Sequence, residues 1–390
     1  MNDQCNQQSQ NSTYKAQLGE FDAIRPFEPE ELSAAYDRME QDPQFQAVVK
    51  YLYPQVPFEA IMQKMRSCPT CLDFQKAFCY PFLKDLMAKA SKGFDIDMQA
   101  IDVTRRYTFV SNHRDIVLDS ALLDVLLIDA GAGTTCEIAI GDNLLAAPWI
   151  KDLVRINKSF IVERSLGIRE MLAASKRLSE YMHFVVQQKH DNIWIAQREG
   201  RAKDSDDRTQ PSILKMMAMG GTGGVKERLK ELHIVPLAIS YEYDPCDFLK
   251  AREFQLKRDI PGWKKTKADD VESMRTGIMG YKGQVHYHCA PCIDDWLDTL
   301  PADMPKGELF DTIAAHIDQE IHRHYRIYAS NRVAADAEAT AEEKATFNAY
   351  LDGQMAKIRL DAPDVSFLRE RLTTMYANPY RNAGIALKEK

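Results

Sequence analysis

Between positions 107 and 288, six short runs of β-branched, aromatic and aliphatic residues alternate with segments of helical periodicity. No other feature constrains the fold as strongly. The strand candidates are 107–111, 136–140, 159–162, 192–197, 234–241 and 284–288, and helical segments fall between them at 116–129, 145–156, 167–187 and 225–232. The third helical segment is the clearest, because Ile168, Met171, Leu172, Leu178, Tyr181, Met182 and Val185 share one face. Repeated strand-helix-strand units predict an α/β fold with a largely parallel central sheet flanked by helices.

The flanks read differently. Residues 20–100 show helical spacing at 30–40, 44–53 and 73–90, separated by Pro54, Pro57 and Pro69, with Pro81 expected to kink or divide the third segment. After Pro305 the pattern is helical again: Phe310, Ile313, Ile317 and Ile321 form one stripe, and the Ala/Glu-rich stretch 334–345 predicts a solvated helix. The expected organisation is a disordered tail at 1–19, a helical region at 20–100, an α/β domain at 101–300 and a C-terminal helical region at 301–390.

Composition narrows the class. The net charge of −7 lacks the basic excess of nucleic-acid binders, so no nucleic acid is expected as a partner. Residues 1–13 are polar, without the basic start and apolar core of a secretory signal. The longest apolar run, 121–132, is interrupted by Asp124 and Asp129 and falls short of the roughly 20 residues of a spanning helix. These features predict a cytoplasmic protein. Cys68/Cys71 and Cys289/Cys292 have C-x-x-C spacing, but more than two hundred residues separate the pairs and the second borders a strand. Reduced thiols and no metal are expected.

Several stretches carry chemistry. Asn112-His113-Arg114-Asp115 stands where the first strand hands over to a helix, the edge at which open α/β sheets place their sites. A carboxylate a few residues on, Asp115 or Asp119, can hold one ring nitrogen and leave the other to act as a base. The strand at 159–162 ends in Glu163-Arg164, and the next runs into Glu199-Gly200-Arg201-Ala202-Lys203, where a glycine turn beside cations suits an anion. Asp204 to Asp207 reads as a solvated loop, since the Glu of a calcium loop is absent. The cluster 220–224 lacks the ending of a phosphate loop and reads as a flexible connection. The segment 250–275 is basic around Trp263.

Taken in order, these stretches resemble the glycerolipid acyltransferase superfamily over about residues 100–300. Asn112-His113 with a following Asp resembles its first motif, Phe160-Ile161-Val162-Glu163-Arg164 its second, Glu199-Gly200-Arg201 its third and Val235-Pro236-Leu237 its fourth. Two departures stand out. Asp119 lies six residues after His113 where the family has five, with Asp115 as the competing partner, and Arg201 follows Gly200 without the intervening residue. The resemblance implies an O-acyltransferase with His113 as base and Asp119 or Asp115 as its orienting acid. Arg164, Glu199, Gly200, Arg201, Lys203 and Arg208 would serve the acceptor. It further implies acyl carrier protein or coenzyme A thioester as donor, no cofactor, and glycerol 3-phosphate or a lysophospholipid as acceptor. Another hydroxylated or amino-acid-containing lipid, or an inactive lipid-binding relative, is the alternative. Such a protein would work peripherally at the inner face of the cell membrane, and 250–275 would contact either the phospholipid surface or the acyl carrier protein.

Overall fold

A computed structural model of the chain describes residues 14–164 and 166–388. Seven strands are present: β1 (Gly93–Asp97), β2 (Thr108–Ser111), β3 (Cys136–Gly141), β4 (Ser159–Val162), β5 (Asn192–Ala196), β6 (Ile234–Tyr241) and β7 (Gln284–Cys289). They form one sheet in the order β1-β7-β6-β2-β5-β3-β4. The recorded pairings are parallel except β6 with β7, where Leu237 faces Cys289 and Tyr241 faces Val285. The fold is α/β, with a largely parallel sheet and flanking helices.

Two compact units divide the chain. Unit 1 comprises 1–82, 134–194 and 216–232, and unit 2 comprises 83–133, 195–215 and 233–390. In unit 1, helices Leu32–Glu40, Pro43–Leu52 and Phe58–Arg66 bury Tyr36, Met39, Phe45 and Met62 in one apolar cluster with Ile156. The stretch at 73–90, expected to be kinked or divided at Pro81, contains a π-helical turn, Gln75–Cys79, immediately before the helix Tyr80–Ala90. Pro81 lacks an amide hydrogen, so the ladder breaks here. Of the expected tail, 1–13 lie outside the described residues, and 14–19 are helical, with the Tyr14 ring 5.2 Å from that of Phe184.

Unit 2 departs from the sequence reading in three places. β1 falls inside the stretch read as helical; its Phe94-Asp95-Ile96 alternation belongs to a strand at the sheet edge, where polar side chains are tolerated. The basic stretch 250–275 is largely two helices, Asp247–Asp259 and Lys267–Met279. The second starts at a capping box: Thr266 Oγ1 accepts the Asp269 N–H at 3.3 Å while Asp269 Oδ2 accepts the Thr266 N–H at 2.8 Å. The helix expected at 334–345 is interrupted, because Ala329–Ala334 ends there and Ala341–Met355 begins at the Thr340/Glu343 capping box. Helices Ala341–Met355 and Val365–Ala386 pack Phe347, Leu351, Leu368, Leu372 and Met375 into a second core with Ala251. Among the described residues, no helix is long and apolar enough to cross a membrane.

Candidate active site

The carboxyl ends of three neighbouring strands, β6, β2 and β5, deliver the candidate residues of unit 2. β2 ends at Ser111, whose carbonyl accepts the Gln197 N–H at 2.8 Å just beyond β5. Asn112 then imitates a strand residue with its side chain. Its Nδ2 donates to the Ile239 carbonyl at 2.9 Å, and its Oδ1 accepts the Ile239 N–H at 2.8 Å. This clamp onto β6 ends the strand and projects His113 from the sheet edge. Asn112 is fully buried, so without the clamp its amide would stand desolvated and unpaired.

His113 Nδ1 lies 2.8 Å from Asp119 Oδ2. The same oxygen accepts the backbone N–H groups of Arg114 at 2.6 Å and Asp115 at 3.0 Å. The turn thus winds around the Asp119 carboxylate, and the additional residue between His and Asp is taken up there. Asp115 does other work: its Oδ1 accepts the N–H groups of Val117 at 2.9 Å and Leu118 at 2.8 Å, capping the start of the helix Leu118–Asp129. Burial, and then the neighbouring Asp119 charge, hold the Asp115 carboxyl above the usual carboxylate range. Tyr287 supports the helix from β7, donating its hydroxyl to the Asp119 carbonyl at 2.9 Å.

Arg114 and Asp207 form a buried fork, with Nη2 to Oδ2 at 2.7 Å and Nη1 to Oδ1 at 3.2 Å. Burial disfavours the Arg114 charge, but Asp207 holds the guanidinium protonated and its pKa above the usual value. Asp207 also accepts the Tyr325 hydroxyl at 2.5 Å, and its backbone carbonyl accepts from His322 Nε2 at 2.8 Å. The expected solvated loop 204–207 is therefore tied down. Asn378 and Asn382, on the helix Val365–Ala386, donate to the Asp204 carbonyl at 2.9 Å and to Asp206 Oδ1 at 3.0 Å. Sequence reasoning named Asn112 and Asp207 but not their roles, the clamp onto β6 and the buried pairing with Arg114. The partner of Asp207 lies 93 residues away, a separation that carries no local signal.

The third stretch splits. Gly200 takes φ of +68°, a left-handed turn open to glycine, and is exposed together with Glu199. Arg201 turns inward and is 7% exposed. Arg201, Lys203, Lys250, Arg252 and Lys265 line one pocket with Trp263. Four of these cations meet carboxylates: Lys203 meets Glu253 at 3.1 Å, Lys265 meets Asp270 at 2.7 Å, Arg252 meets Glu272 at 3.4 Å, and Lys250 meets Asp244. Arg201 is different, because its Nη1 is buried without a hydrogen-bond partner among the described residues. A buried guanidinium nitrogen left unpaired is costly unless a ligand supplies the acceptor. Burial first, and the Arg201 charge second, push the Lys203 ammonium down to about 8. The five cations line the pocket together with the carboxylates Glu253, Asp269 and Glu272.

The remaining candidates lie elsewhere. Arg208 is exposed and pairs with Asp206 at 3.1 Å. Arg164 belongs to unit 1, where it is exposed just after β4 and its backbone N–H meets the Asp142 carboxylate at 3.3 Å. The 250–275 cations divide as well: Lys250 is 2% exposed and Lys265 half-buried, whereas Lys264 and Lys267 face solvent.

No family model matches the chain, and no curated protein does. Among solved structures, the chain is similar to the 1-acyl-sn-glycerophosphate (LPA) acyltransferase PlsC from Thermotoga maritima. The identity is 11% and the TM-score 0.38, over 75% of this chain and 95% of that one.

Proposed function

We propose that the chain is an acyltransferase. It carries a fatty acyl group from a thioester of acyl carrier protein or coenzyme A to a hydroxyl of a phosphate-bearing lipid precursor, glycerol 3-phosphate or a lysophospholipid. The observation that carries this reading is the His113–Asp119 pair at the carboxyl end of β2, and Arg201, with its buried, unpartnered Nη1 after neighbouring β5, supports it. With Nδ1 held by Asp119, the imidazole acts through Nε2. It takes the acceptor's hydroxyl proton as that oxygen attacks the thioester carbonyl. The tetrahedral oxyanion then collapses, the C–S bond breaks, and the imidazolium returns the proton to the departing thiolate. The acceptor's own oxygen is the nucleophile, so no acyl-enzyme forms. Arg201 and Lys203 hold the acceptor's anion.

A lipid acceptor requires work at a surface. Lys264 and Lys267 are exposed near half-buried Trp263, and each cation close to an anionic bilayer contributes about 1 kcal/mol. They support reversible, peripheral binding at the cytoplasmic face. Co-sedimentation with anionic vesicles should fall with salt and in a Lys264/Lys267→Glu variant. Unchanged sedimentation together with lost activity on acyl-carrier-protein donors would make the patch a protein-docking face instead.

The activity is tested by a screen of acceptors with labelled acyl-CoA and acyl-carrier-protein donors, the product identified by mass spectrometry. His113→Ala should keep its circular dichroism spectrum and lose on the order of 10²–10⁴ in turnover. Near-normal turnover in that folded variant ends the proposal.

A further inference from the structure

At the amino end of β6 three ligand types meet. β6 runs parallel to β2 with Thr108 facing Ile234 and Ser111 facing Leu237. His233, immediately before β6, therefore lies at the end of the sheet away from His113. Past β7 the chain returns to this end of β6, where the Ile293 N–H donates to the Ile234 carbonyl at 3.0 Å. That bond fixes the register and sets Cys292 and Asp294, on either side of Ile293, against His233. One ligand atom from each of His233, Cys292 and Asp294 lies within 4.8 Å of the other two. His233 Nδ1 meets Asp294 Oδ2 at 2.6 Å, while Asp294 Oδ1 is buried without a hydrogen-bond partner among the described residues. The other cysteine of the pair, Cys289, is fully buried at the end of β7 and takes no part.

A His-Asp-Cys group also suggests a nucleophilic thiol, but the environment opposes it. Cys292 is half-buried and stands beside the Asp294 carboxylate, and an anion next to a thiol disfavours its thiolate. A divalent cation reverses that logic, since a coordinated thiol is deprotonated outright. We propose that His233, Cys292 and Asp294 form a zinc site with a fourth, solvent-filled position. An imidazole, a thiolate and a carboxylate suit zinc by ligand type. Bonds of ~2.0–2.3 Å need ligand atoms roughly 3.3–3.7 Å apart, within reach of side-chain rotation here. The thiol proton passes to solvent on binding, so affinity weakens as pH falls. The site clips the start of β6 to the segment after β7 and stabilises the sheet, without touching the His113 site.

The test uses the full chain, freed of metal and titrated with Co²⁺ and Zn²⁺. One equivalent of Co²⁺ should bind with a thiolate charge-transfer absorption and the intense visible bands of a tetrahedral ion, and Zn²⁺ should displace it. Zn²⁺ should raise the melting temperature of the wild type. Cys292→Ser should abolish the charge-transfer band, and Asp294→Asn, which preserves side-chain volume, should weaken Zn²⁺ binding at least tenfold. Binding below one equivalent, a bound ion without the thiolate band, or a spectrum unchanged in Cys292→Ser would each overturn the site.

Discussion

Asp119 Oδ2 is shared by three donors, the His113 ring at 2.8 Å and the backbone N–H groups of Arg114 and Asp115 at 2.6 and 3.0 Å. A carboxylate held by two fixed amides cannot follow the imidazole if the ring moves, so it determines the tautomer and the direction of Nε2 together. Asp115, four residues closer in sequence to His113, spends its accepting oxygen on the helix start instead.

The two acids therefore separate by substitution. Asp119→Asn should lower turnover on the order of 10²–10⁴-fold, because an amide cannot both serve the backbone donors and hold the protonated ring. Asp115→Asn should stay within a few-fold of wild type, since Asn caps a helix about as well as Asp. Steady-state kinetics on the acceptor found by screening decide it, and the reverse order would make Asp115 the orienting acid.

The buried fork between Arg114 and Asp207 makes a stability prediction. Both side chains are almost fully buried, at 5% and 1% exposure, and removing one partner of such a pair typically costs about 3–5 kcal/mol. Asp207→Asn should lose that much in urea denaturation. A loss under about 1 kcal/mol would mean that Tyr325 and His322, not the ion pair, hold the loop.

The sheet was legible because β6 is a continuous apolar run and its bounds, 234–241, stand in the residues themselves. β1 was not, since it lies in the stretch read as helical, and the alternating Asp95 and Asp97 make sense as a polar edge strand only once β7 is known to lie beside them. The helix Asp247–Asp259 was hidden for a related reason. Lys250, one of the cations that made the stretch read as basic, pairs with Asp244 in the interior. At the candidate site, His113 and its two candidate acids could be named from sequence, but choosing Asp119 over Asp115 took the geometry of the turn between them. The inward direction of Arg201 and the outward one of Arg208 depend on packing between distant segments, which no spacing records.

Gly277 tests that packing. A Cβ built on it would stand 1.9 Å from Asp115 Oδ2 and 2.9 Å from its Cγ. In an open helix, Gly→Ala gains about 1 kcal/mol. Here the carboxylate is fixed by two backbone amides and has nowhere to go, and overpacking of this kind costs roughly 1–3 kcal/mol. Gly277→Ala should therefore be net destabilising. The Asp115→Ala/Gly277→Ala double variant should show a coupling of about 1 kcal/mol or more, and simple additivity would place the helix Lys267–Met279 elsewhere.

Lys203 gives the pH dependence. Its pKa of about 8, depressed by burial and by Arg201, means that the free site loses a cation between pH 7 and 9. The KM for a phosphate-bearing acceptor should rise as pH increases through 8, by up to roughly tenfold per unit once Lys203 is neutral. Lys203→Arg keeps its charge throughout and should flatten the profile. Unfolding cannot imitate this effect, because the sign is opposite. The unfolded lysine holds its proton to about 10.4 and the folded one only to about 8, so between those values the unfolded chain binds more protons and this group makes stability rise with pH. Melting temperatures measured at pH 7, 8 and 9, compared between wild type and Lys203→Arg, separate the two. A KM that stays flat in the wild type over this range would remove Lys203 from the anion site.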